Sequence, residues 1–210
     1  EWDADGSTST RATLITSAPT ASRLSVVSTP DRHLVYFGTE TTIGTTSTQD
    51  DMYIRWSDQE DINTYTPTAT NTAGTQRIAD GTRIVGAIRG RDAIYVWTDN
   101  ALFIMRFVGA PFTFSFQQVG TGCGLIGKNA AVEVDGSAYW MSDNGFFRYT
   151  GKLESLACLV EDYVFDDLNT VPKQHINAGL NNLFGEVTWF YPSSSASSIN
   201  RAVTYNFMDS

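Results

Sequence analysis

Gly122-Cys123-Gly124-Leu125-Ile126-Gly127 has the G-x-G-x-x-G spacing with which a glycine turn and a following helix hold a dinucleotide pyrophosphate. That chemistry needs a strand before the glycines and a helix after them. The run that follows, Lys128 to Gly136, reads instead as a strand closed by a hairpin turn, so the motif is expected to be a glycine-rich loop between sheets. Ser142-Asp143-Asn144-Gly145, Thr98-Asp99-Asn100-Ala101 and Ser57-Asp58-Gln59 each set a carboxylate between a hydroxyl and an amide. Arg89 and Arg91 could hold an anionic group, with tyrosines and acids for proton transfer nearby in the chain, but no spacing selects a reacting set. Asp50-Asp51 and the acids from Asp58 to Asp61 are oxygen ligands of the kind Ca²⁺ takes, yet they lack the EF-hand spacing and read as solvated loop acids. His33 and His175 are too far apart to read as a metal pair, and no Cys/His cluster has zinc spacing. There is no G-x-S-x-G elbow. Cys123 and Cys158 make no disulfide framework and read as buried or idle thiols. The residues therefore assign no catalytic group, no metal and no cofactor, and the expectation is a protein that is not an enzyme.

The elements around these residues repeat. Tyr95-Val96-Trp97-Thr98-Asp99-Asn100-Ala101-Leu102-Phe103 recurs 44 positions later as Tyr139-Trp140-Met141-Ser142-Asp143-Asn144-Gly145-Phe146-Phe147, with a weaker upstream copy from Tyr53 to Gln59. An apolar run, a hydroxyl, an Asp, an amide and a second apolar run describe two strands joined by a tight turn, because Asp and Asn hydrogen-bond nearby backbone and tolerate left-handed geometry. A hairpin repeat of about 40 to 45 residues marks a β-propeller blade. Tyr36, Tyr95, Tyr139 and Thr188 align at intervals of 59, 44 and 49, which gives about four blade-like units in an all-β chain with long loop insertions and one short helix. Such sheets bury their faces by stacking radially.

Residues 1 to 29 are expected to be a Ser/Thr-rich segment leading into the propeller portion, residues 30 to 210; within residues 7 to 29, 12 of 23 are Ser or Thr. Strands are expected at His33–Gly38, Met52–Trp56, Ile84–Ile88, Ala93–Trp97, Ala101–Val108, Pro111–Val119, Ala130–Val134, Ser137–Met141 and Phe146–Tyr149, then within 176–191 and at Ala202–Phe207. Residues 39–48 read as a long hairpin loop and residues 57–81 as a polar connection of functional length. Phe112, Phe114 and Phe116 alternate with Thr113 and Ser115, which predicts one buried aromatic stripe. Asp135-Gly136 predicts a type I′ turn. Leu156, Leu159, Val160, Tyr163, Val164 and Leu168 have helical spacing, so a short amphipathic helix is expected within Leu153–Asn169, its solvated face carrying Glu161, Asp162, Asp166 and Asp167. A start without Met and a stop inside a strand pattern lead us to expect a portion of a longer polypeptide.

The formal net charge is −9, which argues against a surface that grips nucleic-acid phosphates but not against a wall that faces DNA without holding it. Eleven of the fourteen basic residues are Arg, whose fork suits fixed interface pairs. No run of about 18 apolar residues predicts a membrane-spanning helix, and no signal peptide is read.

Ile84 to Gly109, Gly124 to Ala130, Ala138 to Phe147, Val160 to Phe165 and the segment from Trp56 through Pro67 together resemble the β-propeller proteins of short phage tails: the tail nozzle or tail-tube proteins and the related packaged-DNA stabilisation proteins. The resemblance covers most of residues 30 to 207. It implies a virion protein, a propeller with insertions in a ring of six copies, which extends the channel below the portal and adaptor. Such a ring retains and then conducts double-stranded DNA without reading its sequence, and it is assembled in the host cytoplasm. It implies no catalytic residue. An acidic lining would let the duplex slide, whereas a basic one would hold it through counterion release. The insertion around residues 57–81 is then expected to build a neighbour contact or a constriction. Ser142-Asp143-Asn144-Gly145 and its relatives also resemble the Asp-box turns of sialidase propellers, structural even in those enzymes. A carbohydrate-binding or sialidase-like propeller acting on host glycans is the competing expectation, and a cellular protein-interaction propeller a third.

Overall fold

The computed structural model describes residues 14–29 and 31–208. Fifteen strands form four antiparallel sheets, and helix is confined to short pieces. The first sheet runs in chain order through Leu24–Ser28 (β1), His33–Phe37 (β2), Tyr53–Trp56 (β3) and Gly74–Arg77 (β4). The second contains Ile84–Arg89 (β5), Ile94–Thr98 (β6), Ala101–Gly109 (β7) and Thr113–Thr121 (β8). The third contains Ala131–Val134 (β9), Ser137–Ser142 (β10), Gly145–Tyr149 (β11) and Leu153–Ser155 (β12), and the fourth Asn177–Asn181 (β13), Glu186–Tyr191 (β14) and Arg201–Asn206 (β15). In every sheet each strand pairs with its neighbour in sequence, so each is a meander. The chain divides into two compact units at Ile78/Ala79, one holding the first sheet and the other the remaining three.

In the first unit, alternation on β2 buries His33, Val35 and Phe37, and Ile54 and Trp56 of β3 are buried with them. β1 lies inside the Ser/Thr-rich segment, where Leu24 and Val26 supply enough β-branched and aliphatic character to pair with Phe37 and Val35. Residues 1–13 of that segment lie outside the described residues. The polar connection is shorter than the composition predicts: Gly74–Arg77 pairs with β3 as a fourth strand, although its sequence, GTQR, has no apolar alternation to announce it.

The second unit is built on its second strands. β6 is buried along its whole length, and Trp97 of β6, Trp140 of β10 and Trp189 of β14 are all within 1% of full burial. The Trp97 and Trp140 rings meet edge-on at 5.4 Å, and Phe146 lies 4.8 Å from Trp189, so aromatic contacts join the three sheets into one core. The first strands also adjoin: β5 touches β9, β9 touches β13, and Ala178 N–H donates to Asn129 C=O at 2.8 Å.

This register fixes two ends. Tyr95, at the β5–β6 turn, donates its hydroxyl to Gly136 in the β9–β10 turn at 2.6 Å, and β9 and β13 run in parallel from the Asn129/Asn177 bridge. The turns β5–β6, β7–β8, β9–β10, β11–β12 and β13–β14 therefore share a lower end. The β6–β7, β10–β11 and β14–β15 turns, and the connectors between sheets, share an upper end. Asp135 and Gly136 both have positive φ, 49° and 85°, as a type I′ turn requires.

Two expectations are corrected. Phe112, Phe114 and Phe116 do not form one buried stripe: Phe114 is 5% exposed, Phe116 half-buried and Phe112 77% exposed. β7 and β8 are nine residues long whereas β6 has five, so the hairpin runs past the sheet and its tip has no cover. The helix is only Glu161–Asp167 (α1), and Leu153–Ser155 is a strand edge paired with Tyr149 to Phe147. The helical spacing combined residues of three segments: Leu156 and Val164 are buried, but Leu159 and Tyr163 are exposed.

Candidate functional site

The Asp turns carry the repeated residues, and each carboxylate is tied to another segment. In the β6–β7 turn, Thr98 Oγ1 accepts the N–H groups of Asn100 at 3.1 Å and Ala101 at 2.8 Å, which closes the turn. Asp99 then accepts the Thr82 N–H at 2.8 Å and the Thr82 hydroxyl, fastening the lead-in to β5. Burial pushes the Asp99 carboxyl up, but these hydrogen bonds and that of the Arg83 N–H outweigh it and hold the group below the usual range. In the β10–β11 turn, Asp143 lies 2.5 Å from Lys173 Nζ on the connector before β13. In the first unit, Asp58 accepts the Gln59 N–H at 2.9 Å, and the Thr72 N–H and hydroxyl at 2.8 and 2.6 Å. The weaker upstream copy occupies a different place from the other two. Trp56 lies on the third strand of its sheet, whereas Trp97 and Trp140 lie on second strands.

The glycine motif lies on the connector from β8 to β9, with no helix after it. Three of its six N–H groups are already used: Cys123 donates to Asn100 C=O, Leu125 to Thr98 C=O and Ile126 to Met141 C=O. A Cβ on Gly124 would stand 2.3 Å from the Asp99 carbonyl, and one on Gly127 2.3 Å from the Lys173 oxygen. Gly124 and Gly127 are there for close backbone approach, and three of the backbone donors are committed to neighbouring sheets.

His33 stands in a triad-like geometry that spacing alone did not announce. Its Nδ1 is 2.9 Å from Asp31, which also accepts the Ser28 hydroxyl at 2.8 Å, and its Nε2 is 3.0 Å from Thr72 Oγ1. The arrangement is unsuited to nucleophilic attack. His33 is fully buried, and the Thr72 hydroxyl is committed to Asp58 while accepting the Gln59 N–H at 2.9 Å. It knits the segment after β3 to β2. His175 is exposed, with Nδ1 2.9 Å from the Ser197 carbonyl. The acids weighed for Ca²⁺ are engaged by protein donors: Asp50 with Arg77, Asp51 with Arg23, Asp61 with Asn63 and Thr64. Among the described residues no three His, Cys, Asp or Glu side chains converge as a metal site would require. Cys123 is buried, which pushes its thiol up, and Cys158 is half-buried; both are free.

A concave polar surface lies at the lower end of the second unit. A groove of about 260 Å³ is bounded by Arg91, Arg106, Tyr95 and Tyr149, with the carboxylates of Asp92 and Asp135 also in its lining. The Tyr95 and Tyr149 rings meet edge-on at 6.0 Å in its wall. Arg91 and Arg106 are exposed and form no ion pair among the described residues. Of the two arginines singled out by spacing, Arg91 lines the groove and Arg89 ends β5 just beside it. Arg106 and Tyr149 were not found that way, because they arrive from β7 and from the next sheet. No family model matches this chain, and no curated protein matches it either.

Proposed function

We propose that this chain is a structural β-propeller protein of a short phage tail. In this reading copies of it form a ring, six in number, that extends the DNA channel below portal and adaptor, retains the genome and then conducts it. The observation that carries the proposal is the sequence of meanders whose first strands are mutual neighbours, β5 beside β9 and β9 beside β13. That is the relation inner strands have when blades follow one another around an axis. The Asp turns support a wall rather than a reaction, since their carboxylates are engaged in fastening connectors. The acidic charge supports a surface along which a duplex slides.

Native mass spectrometry of the purified protein tests the proposal: a hexamer is expected. A second reading, a propeller that binds acidic glycans of the host, draws support from the groove with Arg91, Arg106 and two tyrosines. A stable monomer that retains a sialylated oligosaccharide would replace the first reading with the second.

A further inference from the structure

The chain carries far more acid than base, and seven of its thirteen described basic side chains are either paired with acids or buried. The other six are exposed and without an ion pair among the described residues: Arg83, Lys128 and Lys152, and Arg89, Arg91 and Arg106, which are gathered at one end of one sheet. At the opposite end of the same unit α1 shows the converse. Asp162 and Asp166 are exposed, form no ion pair among the described residues, and lie one helical turn apart on one face. Leu159 and Tyr163 stand exposed beside them, and Phe112 stands exposed on the hairpin that carries Arg106. The two surfaces lie at opposite ends of the same sheets, so a chain cannot satisfy its own arginines with its own helix.

We infer that the groove between Arg91 and Arg106 is the docking site for α1 of a second copy of this chain. The guanidinium forks receive Asp162 and Asp166 as charge-assisted pairs, while the exposed aromatic and aliphatic side chains around them are covered. Because the two surfaces differ, the contact is heterologous and repeats from copy to copy, closing into a ring when the rotation allows. The inference rests on the ring reading above and specifies which faces meet.

The test is the oligomeric state of the whole chain, by native mass spectrometry and by sedimentation at low and high salt, for three variants. These are Arg91→Glu with Arg106→Glu, Asp162→Arg with Asp166→Arg, and all four changes together. Every changed side chain is exposed, and thermal melts check that the fold is kept. Each two-residue variant is expected to weaken association by at least about tenfold, and the four-residue variant to restore it, since the charges are exchanged across one contact. An oligomer indifferent to all three variants overturns the docking inference and leaves the ring reading standing. A wild-type chain that is monomeric at every concentration overturns the ring reading and the docking inference with it. A sialylated oligosaccharide bound by the wild type and lost on Arg91→Glu with Arg106→Glu, with oligomeric state unchanged, would give the groove to a glycan and overturn the second copy as its occupant.

Discussion

Trp140 and Trp97 both lie on second strands, one residue apart in the register of the repeat, and are equally buried, but their indole N–H groups differ. Trp140 Nε1 donates to Cys123 C=O at 2.8 Å, whereas Trp97 Nε1 has no hydrogen-bond partner among the described residues. Replacing either by Phe removes similar volume, so the difference between the two isolates the hydrogen bond. Trp140→Phe leaves a buried carbonyl unpaired, while Trp97→Phe removes a buried unpaired donor; the first is expected to be more destabilising by about 1–2 kcal/mol in urea unfolding. Equal losses would sink that account. Thr72 offers a second test, because its hydroxyl joins His33, Asp58 and Gln59. Thr72→Val keeps the shape and is expected to cost about 1–3 kcal/mol at neutral pH. The Thr72 hydroxyl and N–H hold the Asp58 carboxyl below its ordinary range; burial opposes them, and the Gln59 N–H and His33 assist. A depressed folded value means that this stabilisation is complete above the unfolded value, about 3.9, and is lost as pH falls through the folded one. The difference between wild type and Thr72→Val should therefore shrink when unfolding is repeated near pH 3, and a difference independent of pH would count against the role given to Asp58.

At the scale of elements, the connectors rather than the strands lock sheet to sheet. The Gly122–Gly127 connector bonds to β6 through Thr98 and to β10 through Met141. Gly124→Ala must push the Asp99 backbone aside and is expected to cost about 1–3 kcal/mol, whereas a side chain at Gly122 meets nothing within 4 Å. Gly122 has φ +71°, so Gly122→Asn, a residue that tolerates left-handed backbone, is the matched control and should change the melting temperature little. Destabilisation by Gly122→Asn as large as by Gly124→Ala would show that the close approach is not what selects glycine. The same contrast explains what was legible in the sequence. β6 and β10 are runs of aromatic and β-branched residues closed by turn chemistry, so pattern alone located them, and Asp135-Gly136 dictated its own turn. β4 and β12 were hidden because their pairing comes from the neighbouring strand rather than from GTQR or LES. The Phe112 tip and the false helical stripe failed for a related reason: period reports which residues share a face, but not whether anything covers that face. The groove was half legible, since Arg91 sits in a local turn while Arg106 and Tyr149 reach it through strand register.

For the whole molecule, a formal charge of −9 and the proposed conduit role would make a joint demand on how it meets DNA. Binding of duplex by counterion release requires several phosphate contacts from Lys or Arg, and the affinity then falls steeply with salt. Many of the described basic side chains here are already paired with acids of the same chain, and two of the three unpaired arginines at the lower end of the second unit, Arg91 and Arg106, are those assigned above to a neighbour. Assembly on that contact would remove two exposed arginines from solvent and leave the acids further in excess. The expected result is that fluorescence anisotropy with a labelled duplex of about 20 base pairs shows no binding by the assembled protein at roughly 0.15 M salt. Any affinity of the dissociated chain at roughly 0.01 M salt should fall in Arg91→Glu with Arg106→Glu, because those two charges are the ones the contact would cover. Micromolar binding by the assembled form, falling with salt along a slope of several phosphate contacts, would mean that the wall grips its cargo. A wall that grips would slow the passage the conduit reading requires, so that single measurement bears on the placement of the arginines and on the role of the ring together.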